Sequence, residues 1–216
     1  MSLISSQVTR GGIVMAADRC ASARAANANA VDLPTTVAFS RHAEKIHVTG
    51  NHIGISSMGA NSVNKVPLEH VMYDFLYNLD TELYKTPSDV AHQLKAFLRQ
   101  LSPKVDAVFH ICGYDKDKKP ALYLFEAEPG VIIHENASRT YSSAIFAAPD
   151  PFTAEIFKRV GGDIYDRINL RSAIDFAVFV NETTAGIMRF SGAGESVSKE
   201  CDVLVIYPDR HEWIGR

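Results

Sequence analysis

Apolar residues along this chain switch repeatedly between a period of two and a helical period, and few architectures accommodate that order. Leu3 to Thr9 and Ile13 to Ala17, joined through Arg10-Gly11-Gly12, predict a tight β-hairpin turned on glycine. Val37 to Phe39, Lys45 to Val48 and Ile53 to Ser57 read as further short strands, and the Ala- and Asn-rich stretch Ala21 to Asp32 as a surface insertion or short helix. From Asn61 onward the period is helical: Val66, His70, Tyr73, Leu76, Tyr77 and Leu79 fall three or four residues apart. Thr86-Pro87-Ser88-Asp89 opens a second helix with Val90, Leu94, Phe97, Leu98 and Leu101 on one face and Pro103 beyond its end. Strand patterns return at Ala107 to Gly113, Leu122 to Ala127, Val131 to His134 and Tyr141 to Ala148. Helices follow at Pro151 to Val160 and Leu170 to Gly186, then strands at Val203 to Tyr207 and Glu212 to Ile214. Hairpin-connected sheets need cover on one face each, and two helical layers supply it. The expected fold is therefore α+β, a four-layer αββα sandwich formed by a single domain over residues 1–216. A single sheet with every helix on one face is the alternative.

Composition narrows the function classes. The chain has 22 basic and 25 acidic residues, a net charge of −3 and no Lys/Arg run, which disfavours a nucleic-acid partner. No apolar stretch approaches the roughly 20 residues of a membrane span, and Met1-Ser2-Leu3-Ile4 lacks the start of a signal peptide. Cys20, Cys112 and Cys201 are odd in number and widely separated, as expected of reduced thiols in a cytoplasmic protein.

Motifs for phosphate loops, H-E-x-x-H, C-x-x-C and G-x-S-x-G are missing, and no cofactor or metal is expected. His42, His47 and His52 recur every five residues, but on strands an odd spacing alternates faces, so the three do not converge on a metal. The candidate for chemistry is Ser2. Loss of Met1 would place a hydroxyl and a free α-amine on one residue. An α-amine titrates near 7.7–8.0, close enough to neutrality to act as base for its own hydroxyl.

The run Gly11-Gly12-Ile13-Val14-Met15-Ala16-Ala17-Asp18-Arg19-Cys20-Ala21-Ser22, with Ala43-Glu44-Lys45-Ile46-His47 and His52-Ile53-Gly54-Ile55-Ser56-Ser57-Met58-Gly59, resembles the proteasome β-type subunit family. The likeness resumes in Ile168 to Ile174, Phe190-Ser191-Gly192 and Cys201 to Ile206. It implies the N-terminal nucleophile hydrolase type of sandwich and an amide-bond hydrolase. Counting back sixteen residues from Asp18, as the family's pattern requires, lands on Ser2 as nucleophile. Asp18 and Lys45 match the family's aspartate–lysine pair, and Gly59, expected at a helix start, matches its oxyanion glycine. Ser191 matches the serine beside the nucleophile's amine, and Ser142 matches the other serine by a looser alignment.

Serine replaces the family's threonine, Met188 stands where an aspartate is usual, and the insertion between Asp18 and Lys45 is longer than the family's. With only Met1 before Ser2, activation is expected to depend on its loss alone. By the same alignment Ala21, Ala43, His47, Ser57 and Asn61 line the substrate pocket, a small and polar set expected to favour acidic or small polar side chains. The resemblance further implies a homo-oligomeric ring acting on peptides or unfolded proteins, with no nucleic acid or membrane partner and with any ATPase or regulator unspecified. A catalytically silent ring subunit and a hydrolase of small amides are the alternatives.

Overall fold

The computed structural model describes residues 2–24, 36–102, 104–138, 141–147, 168–190 and 196–214. The chain opens with the expected hairpin, β1 (Leu3–Thr9) and β2 (Gly12–Asp18), paired antiparallel from Ile4↔Ala17 to Thr9↔Gly12. Both strands are buried along their whole length. They therefore need cover on two faces, and alternation assigns each side chain to one of them.

Further short strands are β3 (Ala21–Arg24), β4 (Thr36–Ser40), β5 (Ile46–Val48) and β6 (Gly54–Gly59). The stretch read as an insertion or helix thus begins as a strand, β3, paired antiparallel with β4; residues 25–35 lie outside the described set. A small ladder, β7 (Ser62–Val63) with β8 (Val66–Pro67), precedes the helix α1 (Leu68–Asn78). Asn64 and Lys65 turn it at positive φ, 49° and 70°, so the helical period read from Asn61 becomes a helix only at Leu68. The second helix, α2 (Pro87–Leu101), starts where its sequence predicts: Thr86 accepts from the Asp89 amide, and Asp89 accepts from the Thr86 amide in return.

The central strands are β9 (Ala107–Tyr114), β10 (Pro120–Glu126), β11 (Val131–His134) and β12 (Ser142–Ala147). The third described helix, α3 (Leu170–Phe190), leads to β13 (Cys201–Ile206) and β14 (His211–Ile214). The helix expected at Pro151 to Val160 lies outside the described residues.

Two five-stranded antiparallel sheets result, ordered β12-β1-β2-β13-β14 and β11-β10-β9-β6-β5, which sets aside the single-sheet alternative. Among the described residues, strand alternation sorts their side chains into three cores. Ile4, Val8, Ile13, Met15, Leu204 and Ile206 of the first sheet meet Ile46, Cys112, Leu122 and Leu124 of the second. On the first sheet's other face, Val14, Ala16, Val203 and Val205 pack on Ala173 and Ala177 of α3. The second sheet's other face, with Ile55, Phe109, Ile111 and Phe125, packs on Met72 and Phe75 of α1 and Val90, Leu94 and Leu98 of α2. The sheets approach closely at Gly54, where a Cβ would lie 2.5 Å from Met15 Sδ and 2.8 Å from Ile206 Cδ1. These pairings bring the start of β1, the end of β2 and the residues just before β5 to one end of the sheets.

Candidate active site

Ser2, Asp18 and Lys45, remote in sequence, meet there. Lys45 Nζ lies 3.0 Å from Ser2 Oγ, 2.7 Å from Asp18 Oδ1 and 2.6 Å from the Cys20 carbonyl oxygen. An ammonium has three donors, and three acceptors surround this one. All three residues are buried, at 4%, 1% and 7% exposure for Ser2, Asp18 and Lys45. A buried ion pair holds only if its other lone pairs are satisfied. Asp18 meets that condition: Oδ1 also accepts from the Leu3 amide at 2.8 Å, and Oδ2 from the amides of Cys20 at 2.8 Å and Ser198 at 3.4 Å. The Leu3 bond anchors the strand that starts at Ser2, so the carboxylate positions both lysine and serine. The Lys45 backbone is fixed in turn by Ser57, whose amide donates to its carbonyl at 2.9 Å.

Cys20 is the neighbouring alternative nucleophile, and its environment disfavours it. Burial, then the Asp18 charge, push the thiol above its ordinary range, which leaves it protonated and unreactive.

Ser2 opens onto a cavity of about 140 Å³ whose lining includes Ala21, Ala43, Lys45, Ser57, Gly59 and Asn61. Asn61 is held by its side-chain amide, which donates to the Ser22 carbonyl at 2.7 Å. Gly59 ends β6 at φ +112°, and a Cβ there would collide with the Asp106 carbonyl oxygen, so the position admits only glycine.

Several expectations need correction. Gly59 does not start a helix: the β7–β8 ladder intervenes and α1 begins at Leu68. Ser142 is not beside Ser2. The antiparallel register sets Val8 opposite Ser142 and Leu3 opposite Ala147, which puts Ser142 at the far end of β1, roughly 20 Å away at about 3.3 Å per residue. Ser191 lies outside the described residues. His47 is not among the residues that line the cavity; it is buried, its ring edge-on to Tyr73 at 5.3 Å. His52 lies apart from it, its Nδ1 3.0 Å from Nδ1 of His211. The pocket is also not merely small and polar. Glu44 and Glu69 line it as well, two carboxylates that the sequence reading missed. Glu44 adjoins Lys45, so its neighbour was the available signal; Glu69 arrives from α1, which only tertiary packing reveals.

No protein-family model matches the chain, and no curated protein matches it in sequence. Membership of the proteasome β-type subunit family, expected from the Gly11-to-Ser22 run, is corrected by the structural comparison, in which the neighbour is an Anbu protein at low sequence identity. Most of that run is β2, a strand buried on both faces, where small and branched apolar residues are required by packing alone. The structural comparison is positive. The chain is similar to an Anbu (Gly-1) mutant from Hyphomicrobium sp. strain MC1, with a TM-score of 0.67 and 13% identity over 99% of this chain and 87% of that one. At that identity the likeness is one of fold, and the fold is proteasome-like.

Proposed function

We propose that this chain is an amide-bond hydrolase with Ser2 as an N-terminal nucleophile, a single domain over residues 1–216 built as a four-layer αββα sandwich. Three cores, one between the sheets and one on each outer face, support the layering. The observation that carries the activity is the buried contact of Lys45 Nζ with Ser2 Oγ and Asp18 Oδ1 beside an open cavity.

In the proposed reaction, cleavage of the Met1–Ser2 bond frees the Ser2 α-amine. Ser2 Oγ attacks the carbonyl carbon of the scissile amide, and its proton passes to that amine. The Lys45 ammonium stabilises the oxygen as negative charge develops on it, and Asp18 holds the lysine in place. The Gly59 amide is assigned to the oxyanion, a role that donors aimed at developing charge fill elsewhere. Collapse of the tetrahedral intermediate breaks the C–N bond, and the leaving amine takes the proton from the α-amine. Water then attacks the acyl ester and restores the Ser2 hydroxyl. Ser191 keeps its proposed place beside the amine.

The working form is proposed as a cytoplasmic homo-oligomeric ring that acts on peptide or unfolded-protein substrates. Cys20, Cys112 and Cys201 form no disulfide with one another. Among the described residues, no helix is long and apolar enough to cross a membrane.

Intact mass and turnover test the reading together. The active protein is expected to lack Met1, to gain the mass of a covalent N-terminal-nucleophile inhibitor on Ser2, and to lose at least about a thousandfold in kcat on Ser2→Ala. Turnover by a chain that retains Met1, or an unaffected Ser2→Ala variant, would overturn it. A Met1-free chain that neither reacts nor turns over would be a silent subunit.

A further inference from the structure

We propose that Ser198 is a positioning residue for the Lys45–Asp18 pair: it grips Asp18 at both the carboxylate and the main chain, and so sets where Lys45 stands beside Ser2. This rests on the hydrolase reading above and adds a residue to its machinery.

Ser198 lies three residues before β13, past the rung of the β2–β13 ladder where Cys201 faces Asp18. It reaches that aspartate twice. Its amide donates to Asp18 Oδ2 at 3.4 Å, and its Oγ accepts from the Arg19 amide at 2.9 Å. The Arg19 amide belongs to the peptide bond that leaves Asp18, so Ser198 holds the side chain and the backbone of the aspartate together. The hydroxyl proton is used as well, donated to the Glu200 carbonyl at 2.7 Å. With its donor and an acceptor site both engaged, the hydroxyl has a fixed direction.

A bond of 3.4 Å is long for an amide on a carboxylate, so its own strength does not hold the Ser198 amide in place. The bonds around it do. Asn181 of α3, buried, donates from Nδ2 to the Ser198 carbonyl at 2.9 Å and the Lys199 carbonyl at 2.7 Å. Arg19 is tied to β13 through Asp202 Oδ1, which accepts from both Nε and Nη2. Helix and strand thus fix the two sides of the contact, and Ser198 Oγ joins them. Asp18 Oδ2 is then held by the amides of Cys20 and Ser198, which leaves Oδ1 aimed at Lys45 Nζ. Removal of the hydroxyl takes from the Arg19 amide its acceptor and frees the carboxylate to turn, and Lys45 moves with it away from Ser2 Oγ. Small displacements of this kind are costly in rate, because the reacting atoms must stay aligned.

The test compares Ser198→Ala, Ser198→Thr and Thr86→Ala in Met1-free protein. The substrate is the most rapidly cleaved of a panel of fluorogenic peptide amides, and a covalent N-terminal-nucleophile inhibitor counts reactive Ser2 at saturation. Expressed per labelled Ser2, kcat is indifferent to a smaller folded fraction. Ser198→Ala is expected to lower it about tenfold with KM within about twofold, and to slow labelling by the same factor, because alignment and not binding is lost. Ser198→Thr keeps the hydroxyl and should return kcat to within about threefold of the parent. Thr86→Ala, which loosens the cap of α2 on the other sheet's outer face, should leave it unchanged. Parental kcat in Ser198→Ala, an equal loss in Ser198→Thr, or an equal loss in Thr86→Ala overturns the positioning role and leaves the hydrolase reading intact. A Met1-free parent that the inhibitor does not label overturns both.

Discussion

Removal of the Asp18 carboxylate strands one ammonium and three backbone amides at once, because Lys45 and the amides of Leu3, Cys20 and Ser198 converge on its two oxygens. The pair is almost wholly enclosed, with side-chain exposures of 8% for Lys45 and 0% for Asp18, so solvent screens little of the loss. Asp18→Ala is expected to cost about 3–5 kcal/mol in urea unfolding as well as abolishing turnover. Loss of turnover without loss of stability would mean that the carboxylate has no structural part. His110 is the second residue with a measurable signature. It lies between the sheets with Nδ1 2.9 Å from Ser6 Oγ, and burial lowers its pKa from 6.5 to about 3. The unfolded chain therefore takes up a proton below pH 6.5 that the folded chain refuses. Stability from this group is complete above pH 6.5, declines by about 1.4 kcal/mol per pH unit as pH falls, and levels off only near pH 3. Comparison of urea midpoints for His110→Asn and the parent at pH 7 and pH 5 isolates the effect: the parent should lose about 2 kcal/mol more.

At the scale of elements, turns and caps decide where strands and helices stop. Thr86 and Asp89 close a reciprocal cap on α2, and Thr86→Ala is expected to cost about 1 kcal/mol by thermal or urea unfolding. Gly59 is a harsher case. Its φ of +112° and the nearness of Asp106 mean that Gly59→Ala must move backbone, not a flexible side chain. A cost of about 1–3 kcal/mol is expected, together with loss of turnover from a distorted cavity wall. Elements that carry such local signals were legible in the chain. The β1–β2 hairpin has its glycine turn, and α2 has its Thr-Pro-Ser-Asp start. The start of α1 was not legible. Between Asn61 and Pro67 the apolar spacing suits a helix, yet Asn64 and Lys65 adopt positive φ and fold the segment into a ladder.

The whole molecule leaves part of α1 uncovered. Met72 and Phe75 are buried in the core, whereas Tyr77 is 91% exposed and Tyr73 is 48% exposed. The proposed ring gives those rings a use, since a closed symmetric assembly buries the same patch on every copy. Light scattering at micromolar concentration should return a multiple of the 23.7 kDa chain mass, and Tyr77→Glu should shift it towards that mass with circular dichroism unchanged. A parent protein that scatters as a single chain would exclude the ring.

Local pattern determined the alternation of strands and helices, the hairpin and the capped helix, because each follows from residue type and short spacing; Ser2 was singled out by its place after Met1, and Asp18 and Lys45 only by the family resemblance. The α+β class followed from the same periods. Tertiary structure alone decided what surrounds those residues. Strand register placed Ser142 at the wrong end of β1, a fact invisible until its partner Val8 is known. Packing of α1 against the β5 approach brought Glu69 to Glu44 and added two carboxylates to a pocket read as small and polar. Spacing along a chain fixes which face a side chain takes; only the pairing of distant strands and helices fixes what it faces.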